Sequence, residues 1–270
     1  MNLDQIGVFL SIDRLLILLR RIDNLQMAKA QEGSEMSSDL KTAPTTPVPL
    51  TTSRPQPFPG LPEGVLLWQE YLSRAEQEAM VADVRTAITQ APLFRGTMPK
   101  TGKPLGLQMS NLGDLGWFAD RSGYRYVPNH PKTGASWPAI LPSLLALWDT
   151  LGDYPAPPEA CLVNYYGPEN KLSLHQDMDE LDVHAPILSV SLGDQALYRL
   201  GGLARKDKTQ SFRLNSGDVL VLTGPARMRF HGIDRIYPGT STLLKQPGRI
   251  NLTLRRVNFP PDELPDAPKD

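Results

Sequence analysis

The stretch RINLTLRRV, residues 249–257, alternates Arg249, Asn251, Thr253 and Arg255 with Ile250, Leu252 and Leu254. Side chains two apart in an extended chain share a face, so this segment reads as a strand with one apolar side and one side bearing two guanidiniums. On an exposed strand the polar side would simply meet water. Inside a small barrel it would face the interior, where planar guanidinium forks match carboxylates in pairs of hydrogen bonds. The segments upstream decide between the two.

From Pro158 onward the same pattern recurs in ACLVNYYG, LSLHQD, PILSVSLG, ALYRLGG, QSFRLNSGDVLVLTG and RFHGI, separated by polar or glycine-rich turns. No helical period interrupts them. Two helices are expected before this half. In SRAEQEAMVADVRTAITQA, Ser73 and Glu76 have capping-box spacing and Ala79, Met80, Val84, Ala87 and Ile88 form a stripe. In SWPAILPSLLALWDTLGD, Ser136 and Pro138 are start signals and Gly152 a stop. Between the helices, residues 93–135 mix turn formers with short aromatic strands, as hairpins and loops do. The fold class is therefore α+β, with a strand-rich C-terminal half forming a sandwich or barrel of jelly-roll type.

The chain of 270 residues suits one catalytic domain with an appendage. Residues 1–63 are an expected extension: an amphipathic N-terminal segment, then a linker from Ala30 to Gly64 rich in Pro, Ser and Thr that buries too little to order itself. Asp4, Asp13, Arg14, Arg20 and Arg21 break the first segment, so it neither spans a bilayer nor forms a clean signal peptide. It is expected to be peripheral, or to stem from a misplaced start with Met27 or Met36 as the first residue. The domain is expected over 64–257, opening near VLLWQEYL, with an acidic tail over 258–270. A single cysteine, Cys161, excludes an intrachain disulfide and makes the cytoplasm the default compartment. Net charge is −1, yet residues 199–256 hold twelve Lys or Arg against three acids, a segment able to meet phosphates.

The chain has four histidines. His175 and Asp177, two apart in an expected strand, can offer an imidazole nitrogen and a carboxylate oxygen to one ion. His231, at a strand end before a glycine, can return to them by antiparallel pairing. Two histidines and one carboxylate with open positions is the arrangement of non-haem Fe(II) oxygenases. An H-x-D pair alone is common by chance, and a lone His130 or His184 reads as a surface or satisfied polar group. A zinc hydrolase is disfavoured, because no dedicated general base is evident and the paired arginines would go unexplained.

Taken in order, NYY, HQDMDE, SVSLG, GGL, SGDVLVLTG, FHG and RINLTLR resemble the AlkB family of Fe(II)/2-oxoglutarate dioxygenases, close to its bacterial nucleic-acid demethylases. The resemblance covers roughly residues 64–257. It implies a double-stranded β-helix (jelly-roll) core with N-terminal supporting helices and a nucleotide-recognition lid over about 95–126. It also implies that His175, Asp177 and His231 ligate iron. 2-Oxoglutarate would be held at its far carboxylate by Arg249, Asn164 and Tyr166, and near the iron by Asn251 and Arg255. Trp117 would stack on the target base, Tyr124 would hold a phosphate or the base edge, Arg205 would line the substrate side and Asp179 would sit by the exocyclic amine. A ring-N-methylated base is cationic, and an aromatic face and a carboxylate both favour it. Lys100, Lys103, Arg121 and Arg125 add positive charge to the lid.

With O2 as oxidant, the implied reaction removes methyl groups from 1-methyladenine- or 3-methylcytosine-type bases, giving formaldehyde and succinate. The base must leave its stack, so alkylated single-stranded or flipped-out DNA or RNA is the expected partner of a monomer with no membrane attachment. Two other readings stay open: the same chemistry on tRNA, protein or a small molecule, and a non-catalytic nucleic-acid-binding module. Leu200 and Leu222 stand where relatives often carry larger aromatics, so the pocket is expected to be shaped differently.

Overall fold

The computed structural model describes residues 57–260. The expected N-terminal amphipathic segment, most of the linker and nearly all of the acidic tail lie outside them. Twelve strands and two α-helices make up the described chain. They are β1 (Val65–Trp68), α1 (Arg74–Gln90), β2 (Gln108–Gly113), β3 (Gly116–Asp120), β4 (Gly123–Val127), α2 (Pro142–Leu147), β5 (Ala160–Tyr166), β6 (Leu172–His175), β7 (Ile187–Gly193), β8 (Gln195–Leu200), β9 (Gln210–Leu214), β10 (Val219–Leu222), β11 (His231–Tyr237) and β12 (Arg249–Arg255). They form a six-stranded sheet in the order β1-β10-β7-β12-β5-β2, a four-stranded sheet in the order β6-β11-β8-β9, and a separate β3-β4 hairpin. Every strand pairing is antiparallel. This is the expected jelly-roll.

The period-two pattern of β12 decides how the layers stack. Ile250, Leu252 and Leu254 join Val163, Leu188, Val190, Val219 and Val221 in a core completed by Met80, Val84, Leu144 and Trp148 of the helical layer. The opposite face of the large sheet supplies Leu220, Leu222 and Tyr166 to a second cluster, with Tyr198, Leu200, Leu214, Ile233 and Ile236 of the small sheet. Arg249, Asn251, Thr253 and Arg255 therefore face the space between the sheets, and β12 lies centrally between β5 and β7.

Helix α1 begins as its sequence dictates, with the reciprocal Ser73–Glu76 capping box formed. The second helix starts later than its signals suggested. Leu141, which precedes Pro142, is extended (φ −60°, ψ 137°), and Pro142 occupies the first turn. A proline disfavours helical geometry in the residue before it but tolerates the first helical position itself, so the helix cannot begin at Ser136. Ser136 instead bridges Asn129, and Trp137 is buried. A π-turn over Trp148–Gly152 follows α2, and Asp153, rather than Gly152, takes the left-handed position (φ 49°).

The expected lid segment divides. Residues Gln108–Gly113 are an edge strand of the large sheet, and the β3-β4 hairpin stands apart from both sheets. Asn111 anchors the hairpin by exchanging hydrogen bonds with the backbone of Trp117 at 3.1 Å. Trp137 Nε1 donates to the Val127 carbonyl at 2.9 Å. A Cβ on Gly116 would lie 2.4 Å from the Trp137 ring. Gly116→Ala is therefore expected to displace Trp137 and cost about 1–3 kcal/mol, seen as a lower urea midpoint.

Candidate metal centre and the clefts around it

His231 pairs directly with His175 across β11 and β6, so strand register alone brings the two rings together, with centroids 4.5 Å apart. Strand β6 ends at His175, and Asp177 lies in the following loop rather than on the strand face. Its position is set by long-range partners: Arg227 donates to the Asp177 carbonyl at 2.7 Å, and the Gln176 amide donates to Met228 O at 2.6 Å. The outcome matches the expected convergence by a different route. His175 Nε2 lies 3.5 Å from Asp177 Oδ1, and His231 Nε2 lies 3.5 Å from Oδ2. One ligand atom from each residue falls within 4.8 Å of the others.

The histidine tautomers follow from their neighbours. His175 Nδ1 meets the Ser173 carbonyl and His231 Nδ1 the Arg229 carbonyl, each at 3.0 Å. A carbonyl only accepts, so Nδ1 carries the proton and Nε2 presents its lone pair to the centre. Desolvation by surrounding atoms and the nearby His231 lower the His175 pKa to about 4, although about a third of its side chain remains accessible. Asp177 is buried, which by itself would raise its pKa, but Arg255 and the two histidines hold it well below the usual carboxylate range. Metal ligation requires an ionised carboxylate, and Asp177 supplies one.

Between the sheets, a cavity runs from this triad to Arg249 and is lined also by Asn164, Tyr166, Tyr198, Leu222 and Asn251. Arg249 is fully buried. Its Nη2 donates to Ser191 Oγ at 2.7 Å, whereas Nε and Nη1 have no partner. Asn164 Oδ1 is likewise buried and unpartnered. Burial pulls the Arg249 pKa down to about 10, still well above neutrality. Asn251 lines the same cavity, and its amide nitrogen donates to Ser189 Oγ at 2.6 Å and to Val190 O at 3.1 Å. Arg255 spans Asp177 Oδ1 and Glu180 Oε1, both at 2.8 Å, and keeps Nε unpartnered.

A second cleft meets the first at His175, Asp177, Asn164 and Arg255 and is walled by Trp117, Tyr124, Met178 and Asp179. Trp117 stacks on Tyr124 (5.4 Å, 17°) and donates from Nε1 to Asp179 at 2.7 Å. Three of the four expected substrate-side residues are thus gathered in one place. Arg205 lies instead beside a neighbouring cleft with Lys171 and Arg199. Leu222 lines the inner cavity and Leu200 packs in the core behind it. His130 is a satisfied buried polar group, bonded to Pro92 O at 2.8 Å. Burial raises the Cys161 pKa to about 12, which makes it an inert thiol.

Sequence reasoning missed Glu180, Arg227, Ser191 and Tyr126 as parts of this neighbourhood. Strand alternation could have marked two of them, Ser191 on β7 and Tyr126 on β4.

A family described as the 2OG-Fe(II) oxygenase superfamily matches residues 64–255. An "Alpha-ketoglutarate-dependent dioxygenase AlkB homolog" of Caulobacter vibrioides is 52% identical over 194 residues, 72% of this chain and 88% of the relative. The Escherichia coli "Alpha-ketoglutarate-dependent dioxygenase AlkB" is 39% identical over 201 residues, 73% of this chain and 92% of that one. The chain belongs to the AlkB family of 2OG-Fe(II) oxygenases. The solved structure titled "The structure of OsALKBH1" superposes with a TM-score of 0.63 at 31% identity, covering 73% of this chain and 98% of that one.

As an AlkB-family enzyme it uses Fe(II), 2-oxoglutarate and O2, and its own atoms suit these groups. Two imidazole nitrogens and a carboxylate leave positions on an iron open. A fully buried guanidinium with two unpaired donors would be costly on its own account, and a carboxylate entering the cavity would satisfy it. Among the described residues no helix is long and apolar enough to cross a membrane.

Proposed function

We propose that the enzyme oxidatively demethylates N-alkylated bases of the 1-methyladenine and 3-methylcytosine type in single-stranded or flipped-out DNA or RNA. The observation that carries this reading is the outer cleft, where an aromatic pair and the Asp179 carboxylate open directly onto the metal triad. A methylated base is a flat cation, and that combination favours one. The names of the Caulobacter and Escherichia coli relatives support the same chemistry.

In this reading His175, Asp177 and His231 hold the iron. Arg249 takes the far carboxylate of 2-oxoglutarate with the help of Asn164 and Tyr166, and Arg255 serves the end near the metal. When bound, iron with 2-oxoglutarate and O2 supplies the oxidant that hydroxylates the methyl carbon, leaving succinate and carbon dioxide. Trp117 stacks on the base and the Asp179 carboxylate accepts from its exocyclic amine. Tyr124, half exposed, meets the backbone phosphate or base edge, and Arg205 contributes charge from the adjoining cleft. The enclosing side chains limit water around the reacting carbon. The hydroxymethyl product then releases formaldehyde and a proton, restoring the neutral base.

Residues 64–257 form the catalytic domain, with the β3-β4 hairpin as the moving part of the lid. The protein acts as a cytoplasmic monomer, a reading that its single buried thiol supports. The test is formaldehyde and succinate release from oligonucleotides carrying either lesion, single-stranded and paired. Equimolar products, greater on single strands, are expected. Turnover confined to a folded tRNA, protein or small molecule would replace this substrate with another.

A further inference from the structure

The carboxylate of Glu180, three residues beyond Asp177, has no solvent exposure. One oxygen accepts from Arg227 at 3.1 Å. The other accepts from Arg255 at 2.8 Å and from the Tyr126 phenol. These two guanidiniums also hold Asp177, Arg255 at the side-chain oxygen and Arg227 at the backbone carbonyl. Two cations and two carboxylates balance within one enclosed cluster. Such a set stays rigid only while each member keeps its partners.

Tyr126 lies on β4, in the same hairpin as Trp117 and Tyr124. Its phenol is thus a side-chain link from that hairpin into the cluster around Asp177. Arg255 also donates to it at 3.2 Å. Arg255 borders both clefts, and its Nε is buried without a partner. A ligand that engages Arg255 from the inner cavity will act on the same side chain that touches Tyr126.

We propose that Glu180 is a positioning residue that holds Arg255 against Asp177 and, through Tyr126, ties the β3-β4 hairpin to the metal centre. Filling the co-substrate cavity and closing the hairpin are then coupled, each favouring the other. The consequence for substrate order rests on the reading of the hairpin as a nucleotide lid: the lid closes best on an enzyme already holding 2-oxoglutarate. The tie itself does not depend on that reading.

Amide hydrogen exchange on the Mn(II)-loaded full chain, with and without 2-oxoglutarate, tests the tie without any nucleic acid. In the wild type, 2-oxoglutarate is expected to slow exchange across residues 116–127 by about tenfold. Tyr126→Phe keeps the ring and leaves Glu180 with both arginines. It should lose that response while Mn(II) affinity stays within about twofold of wild type. Glu180→Gln should weaken Mn(II) binding by about 10-fold or more, because Arg255 and Arg227, no longer held by the carboxylate, cease to fix the position of Asp177. Exchange at 116–127 that ignores 2-oxoglutarate in the wild type, or responds equally in Tyr126→Phe, overturns the proposal. So does unchanged Mn(II) affinity in a folded Glu180→Gln protein. If Glu180→Gln fails to fold, the Tyr126→Phe comparison decides alone. A responsive hairpin with no turnover of methylated oligonucleotides would overturn the functional reading and leave the tie standing.

Discussion

Asp177→Ala is expected to abolish detectable turnover and also to destabilise the metal-free protein, whereas His231→Ala should do only the first. Both remove an expected iron ligand. Outer partners of metal ligands alone are worth about 10–100-fold in affinity, so losing a ligand should exceed that range. The difference lies in what each residue leaves behind. His231 gives up a hydrogen bond to the Arg229 carbonyl and ring contacts with His175 and Tyr198, and leaves no buried charge without its partner. Asp177 leaves Arg255 and Arg227 sharing a single carboxylate in a buried cluster. Breaking a buried pair from one side costs about 3–5 kcal/mol. Urea denaturation of the two metal-free variants separates the effects, and equal stability would mean that the Asp177–Arg255 contact does not bear on the fold.

Arg249→Leu carries the second large effect, on the co-substrate rather than the metal. If the paired donors of Arg249 hold the far carboxylate of 2-oxoglutarate, removing them should cost about 2–5 kcal/mol of binding, roughly 30- to several-thousand-fold in its KM. Affinity for Fe(II) should change little, because Arg249 touches none of the three expected ligands. The metal-free variant should be at least as stable as wild type, since a guanidinium with two unsatisfied donors leaves the interior. Arg249→Lys should rescue poorly: an ammonium is a point charge that lacks the planar fork. A variant with unaltered 2-oxoglutarate KM would move the anchor elsewhere in the cavity.

The parts of the enzyme that were legible in its sequence share one property: they depend on short-range periodicity. The alternation of β12 alone separates the core-facing leucines from the cavity-facing arginines, and the structure keeps that division. Ser73 and Glu76, three residues apart, likewise announce the start of α1. Local signals compete ahead of α2. Pro142 holds Leu141 extended and delays the second helix past both of its apparent start signals.

Long-range chemistry left no local mark. The partners of Glu180 are 47, 54 and 75 residues away, in Arg227, Tyr126 and Arg255. In the sequence Glu180 is merely one more acid after Asp179. Asp177 reaches the two histidines through a loop held by Arg227, not through the strand alternation that first suggested it. Register between β6 and β11, which joins His175 to His231, likewise exists only once the sheet has formed.

In this assignment the His175–Asp177–His231 triad and Arg249 form one site, the triad holding a metal that in turn chelates 2-oxoglutarate. Calorimetric titration of 2-oxoglutarate into anaerobic protein, with and without one equivalent of Fe(II), tests it directly. One co-substrate is expected per chain, bound tightly only when Fe(II) is present, with the metal dependence lost in Asp177→Ala and the affinity lost in Arg249→Leu. Binding that is indifferent to Fe(II), or equally tight in folded forms of both variants, would contradict it.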